Sequence, residues 1–94
     1  MTTIQLPRVA GSRDLAENLV KEADLTPNGD VSVDARAMVV NTESFAFRFA
    51  ELIADLKPAH FELIGGSPTW HKDLATAAEK FHLDLHVRRA VSAD

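Results

Sequence analysis

Apolar residues recur along the chain with two periods, and the period switches at short turn-forming stretches. The switch is clearest between Val31 and Leu56. Val31 and Val33 alternate with Ser32 and Asp34, a period of two that predicts a short strand. The run Ala37-Met38-Val39-Val40 follows and is expected to pack beneath the next helix. Asn41 or Thr42 suits the start of that helix, because either side-chain oxygen can accept from a free first-turn N–H. Phe45, Phe49, Leu52, Ile53 and Leu56 then fall at i, i+4, i+7, i+8 and i+11, sharing one face of a helix laid on a core. Pro58 ends it, since the residue before proline is pushed away from helical angles. Phe47 lies about 200° round from Phe45, beside Ala50 and Ala54. It is read either as part of a partner surface or as a lone apolar residue exposed or covered by the chain ends.

The rest of the chain follows the same two periods. Thr3 to Leu6 predicts a short strand ended by Pro7, placed at a sheet edge where proline is tolerated. Gly11-Ser12 opens a helix with Ser12 as cap and Leu15, Ala16, Leu19, Val20 and Ala23 on its buried side. Thr26-Pro27-Asn28-Gly29-Asp30 is a turn by composition. His60 to Ile64 predicts a strand with Phe61 and Leu63 on one face. Gly65-Gly66 turns the chain, Ser67 caps the next helix, and Pro68 takes its first position, where a missing N–H costs nothing. Trp70, Leu74, Ala77, Ala78 and Phe81 repeat the helical spacing. Leu83, Leu85 and Val87 alternate with His82, Asp84 and His86, predicting a last strand with one wet face. Ala90 to Asp94 is expected to fray.

The order β-α-β-α-β-α-β predicts an α/β fold, a mostly parallel four-stranded sheet with three helices and right-handed crossovers. Three helices and a half-polar last strand leave one sheet face less well covered. A length of 94 residues fits one domain burying about 60–65% of its unfolded surface.

Composition narrows the function classes. There is no cysteine, which excludes disulfides, thiolate metal sites and cysteine nucleophiles. The net charge is −4 and basic residues are scattered, so no nucleic-acid stripe is visible. Neither a signal peptide nor a membrane span is legible, and a cytoplasmic location is expected.

Candidate chemistry gathers where parallel strands end and helices begin. Two loops meet there, Asp34 to Ser44 and Gly65 to Trp70. Gly65-Gly66-Ser67 could hold an anion such as a nucleotide phosphate, but it matches neither a Walker loop nor a dinucleotide fingerprint. The plainer reading is a turn with a capping serine. His82 and His86 on a strand would stand about 13 Å apart, too far for one ion, so no metal or cofactor is expected. No serine sits in G-x-S-x-G, and no triad can be assembled. Asp34 and Glu43 could pair on the rim; the alternative is Asp34 bonded to loop amides and Glu43 as first-turn charge.

The segment Val31-Ser32-Val33-Asp34, then Val39 to Phe45, Leu52 and the Gly65-Gly66 turn resembles the STAS domain. That is the fold of anti-sigma-factor antagonists and of the cytoplasmic ends of sulfate transporters. Ser12-Arg13 with Ala16, and Ser44-Phe45-Ala46, is more similar to the STAS-like family of bacterial proteins. The resemblance implies a non-enzymatic regulatory module that binds a protein, such as a kinase-like ATPase. It implies a binding surface of Asp34, Asn41, Thr42, Glu43, Ser44, Phe47, Gly66, Ser67 and Trp70. It also implies phosphorylation at Ser44, or failing that Thr42, although the chain has Phe45 where antagonists have glycine. Capping alone explains the same hydroxyls. A homo-oligomer joined through the last strand is a further expectation.

Overall fold

The computed structural model describes residues 2–88. The expected frayed end, Ala90 to Asp94, lies outside them. The elements run β1 (Thr2–Gln5), β2 (Val9–Ala10), α1 (Arg13–Ala23), β3 (Asp30–Asp34), β4 (Val40–Asn41), α2 (Glu43–Asp55), β5 (His60–Ile64), α3 (Pro68–Lys80) and β6 (Leu85–Arg88). β1, β3, β5 and β6 form one parallel sheet in that order. The fold is α/β with three helices and a four-stranded parallel sheet.

Each step along the sheet is bridged by one helix, and every step moves the same way. Crossovers of one hand therefore stack all three helices on one face, with α2 packed between α1 and α3. The period of two then sorts the strand residues. Ile4, Val33 and Leu63 share one register row, Val31 and Phe61 share another, and all five are buried under the helices. Against them lie Phe45, Phe49, Ile53, Trp70 and Leu74, each wholly buried. The Phe45 ring stacks on Phe49 at 5.6 Å and meets Trp70 at 5.7 Å. Three capping hydroxyls start the helices: Ser12, Thr42 and Ser67 accept from the amides of Leu15, Phe45 and Trp70.

Among the described residues the opposite face of the sheet carries no helix layer and is mostly polar. Ser32, Glu62 and His86 share a register row there. Ser32 Oγ donates to Glu62 at 3.4 Å, His60 Nε2 lies 3.4 Å from the same carboxylate, and the His60 and His86 rings stack at 4.8 Å. The histidine neighbour of His86 is thus His60. His82 is in a left-handed turn before β6, and Leu83 precedes the strand as well, so β6 is shorter than the alternation predicts.

Two expectations fail around β4. A second sheet exists, with β2 and β4 paired in parallel, which the pattern did not reveal. The run Ala37-Met38-Val39-Val40 does not pass beneath α2, since only Met38 of the four is buried. The amides of Val39 and Val40 both donate to the carbonyl of Arg8, at 2.7 and 3.0 Å. Those backbone bonds hold the segment at the rim, outside the core.

Candidate functional site

The sheet rim at the strand C-termini brings the two predicted loops together. Thr42 is extended and its hydroxyl accepts from the Phe45 amide at 3.2 Å, which starts α2. Ser67 does the same for Trp70 at 3.2 Å, with Pro68 opening α3. Between these corners Asn41 Nδ2 donates to Asp73 Oδ2 at 3.1 Å, a contact 32 residues apart in sequence. Beneath them the Phe45 and Trp70 rings form one apolar floor. The starts of α2 and α3 are therefore a single surface, with Glu43 and Ser44 exposed on it and Asn41, Thr42 and Ser67 half-buried.

Not every predicted surface residue reaches solvent. Trp70 is wholly buried, so it supports the rim from below and offers nothing to a partner. Its indole Nε1 makes no hydrogen bond among the described residues. Gly66 lies against that ring: a Cβ there would stand 2.5 Å from Trp70 Cδ1 and 3.2 Å from Ala35 Cβ. At Gly65 a Cβ would stand 2.5 Å from Arg36 Cγ. Both glycines adopt positive φ. His71 Nε2 donates to the Gly65 carbonyl at 2.6 Å, which fixes the tautomer because a carbonyl can only accept. Packing by Arg36 and Trp70 accounts for the glycine pair without a ligand.

Asp34 is nearly buried, and both its oxygens are taken by Arg36. Oδ1 accepts from the Arg36 amide and Nε at 3.0 Å, and Oδ2 from Nη2 at 2.7 Å. The guanidinium bonds hold the carboxyl below its ordinary range, outweighing the opposing effect of burial, and they raise the guanidinium in turn. Asp34 is thus a loop clasp that takes one loop amide, where the sequence reading expected loop amides alone, and the Arg36 guanidinium as its main partner, while Glu43 stands in the first turn of α2.

Phe47 departs from the picture of a ring facing water. It is half-buried, with its edge on Phe81 at 6.3 Å and Lys80 Nζ 5.2 Å from its centre. The end of α3 covers it. Beside it a concavity of about 390 Å³ is lined by Arg13, Glu43, Ser44, Phe47, Arg48 and Phe81, among others. Arg48 bonds Glu51 and Glu17, each at 2.8 Å, which ties α1 to α2 and raises the guanidinium's pKa through those two contacts.

The sequence reasoning missed the apolar part of the rim. Val9, Val39 and Val40 are 59%, 65% and 47% exposed, and Val9 pairs directly with Val40. Nothing in the sequence signalled it, since Val39 and Val40 read as core by composition.

Among the described residues, no group of three or more His, Cys, Asp or Glu could hold a metal ion. No helix among them is long and apolar enough to cross a membrane. Comparisons with protein-family models, curated proteins and solved structures find no match.

Proposed function

We propose that this chain is a STAS-like interaction and regulatory module with no catalytic chemistry of its own. In this reading it works by partner switching, as anti-sigma-factor antagonists do, and binds a kinase-like ATPase or another regulator in a bacterial cytoplasm. The observation that supports the reading is the Asn41–Asp73 bond, which joins the strand end before α2 to the second turn of α3 in one surface. Ser44 stands exposed on that rim, one position past Glu43. A phosphate there would gain from the free N–H groups and dipole of the α2 start. Adding or removing that charge would alter the surface without disturbing Phe45 or Trp70 beneath it.

The test is binding of the intact chain to proteins encoded beside it, a flanking kinase or ATPase first. Ser44→Asp is expected to change affinity at least tenfold while leaving the thermal midpoint unaltered. Glu43→Lys gives an independent probe of the same surface. A partner whose binding ignores both substitutions would overturn the rim as the binding surface. Phe47→Asp is a poor probe, because it would also break the packing on Phe81.

A further inference from the structure

We infer that the concavity beside Phe47 binds a free aromatic α-amino acid, with its carboxylate at Arg13, its ammonium at Glu43 and its ring against Phe47 and Phe81. The inference goes beyond the interaction reading above and does not depend on it, because the binding is measured on the chain alone.

Three observations converge on it. The first is the space itself: at about 390 Å³ the concavity falls within the range of small-molecule sites. The second is charge. Four charged side chains line it, and they are not equivalent. Arg48 is already matched, to Glu51 and to Glu17 at 2.8 Å each. Arg13 and Glu43 are exposed, and neither makes an ion pair among the described residues, although both line the same space. The fold explains this, since Arg13 is the first residue of α1, Glu43 is the first of α2, and the two helices pack side by side. Opposite charges are thus held at neighbouring helix starts, unjoined. A simple anion would be drawn to Arg13 and opposed by Glu43, and a simple cation the reverse. A zwitterion satisfies both. The α2 wall carries Glu43, Arg48 and Glu51, two carboxylates to one guanidinium, so the ammonium belongs on that side and the carboxylate towards Arg13.

The third observation is the apolar part of the lining. Among the described residues it consists of Phe47 and Phe81, both half-buried and set edge to face at 6.3 Å. Aromatic rings in that arrangement accept a further ring offset or edge-on, a geometry that an aliphatic side chain does not share. Ser44 lines the same space, and its hydroxyl can donate to a ligand carboxylate.

The experiment is calorimetric titration of the intact chain with L-phenylalanine, N-acetylphenylalanine, phenylalanine amide and L-leucine. Phenylalanine should bind saturably at millimolar concentration or below and raise the thermal midpoint. The acetylated form lacks the ammonium, the amide lacks the carboxylate and leucine lacks the ring, and each should bind several-fold more weakly. Arg13→Gln should weaken phenylalanine several-fold without weakening the amide. Glu43→Gln should weaken phenylalanine several-fold without weakening the acetylated form. Both losses should shrink as salt is raised. Both substituted sites are exposed, and circular dichroism checks that the variants remain folded. No saturable binding of phenylalanine, equal binding of either blocked form or of leucine, or binding indifferent to both substitutions would overturn the proposal.

Discussion

Gly66→Ala tests the idea that the rim is held up by one buried ring. At this position φ is +97°, and a Cβ would stand 2.5 Å from Trp70 Cδ1 and 3.2 Å from Ala35 Cβ. An L side chain at such a φ costs about 1–2 kcal/mol in backbone strain. Forcing an atom into a close-packed core adds about 1–3 kcal/mol. Trp70 cannot yield easily, because Phe45 and Phe49 hold it at 5.7 and 6.4 Å. The two effects together give a loss of about 2–5 kcal/mol, a large share of the roughly 5–15 kcal/mol typical of whole domains. The chain has one tryptophan, so its fluorescence during urea unfolding reports on the affected ring directly. With a urea slope of about 1 kcal/mol/M, the midpoint should fall by about 2 M or more. Gly11→Ala is the control. Nothing lies within 4 Å of its Cβ position, and the change should stay within about 1 kcal/mol. If the two variants unfold at the same urea concentration, the close approach of Gly66 to Trp70 is not what shapes the turn.

The remaining expectations concern the caps, the bridge between corners and the loop clasp. Thr42→Ala should cost about 1 kcal/mol by freeing the Phe45 amide, whereas Ser44→Ala should stay within about 0.5 kcal/mol. Equal losses by thermal unfolding would mean that the cap is misassigned. Asn41→Ala and Asp73→Ala should each cost about 1 kcal/mol, and in a double-mutant cycle the second change should cost little after the first. Strict additivity would show that the two side chains do not interact. Asp34 is held below its ordinary carboxyl range, so its contribution to stability is complete above the unfolded value of about 3.9 and is lost as pH falls through the folded value. Arg36→Gln removes the largest cause of that depression. Its unfolding midpoint should therefore fall less steeply than the parent's on acidification, and parallel curves would refute the clasp.

The apolar periods by themselves determined the three helices, the strands β1, β3 and β5 and most of what these bury, because such features depend on side chains a few residues apart; Val87, on the apolar side of the last strand, is exposed, and Ala50, placed beside Phe47, is wholly buried. The caps at Ser12 and Ser67 were legible for the same reason, a hydroxyl and an amide three positions on, and Thr42 as one of two candidates with Asn41. The less well covered sheet face also followed, from three helices and a half-polar last strand. Other features rest on residues distant in the chain, and no local period encodes them. The β2–β4 pairing places Val9 beside Val40, and α3 returns Phe81 to cover Phe47. The sheet stacks His60 on His86, and Asn41 meets Asp73 only after α2 and β5 have brought α3 alongside. Val39 and Val40 illustrate the division best. Their composition reads as core, yet two backbone bonds to Arg8 hold them in water, and only the folded chain brings that carbonyl within reach.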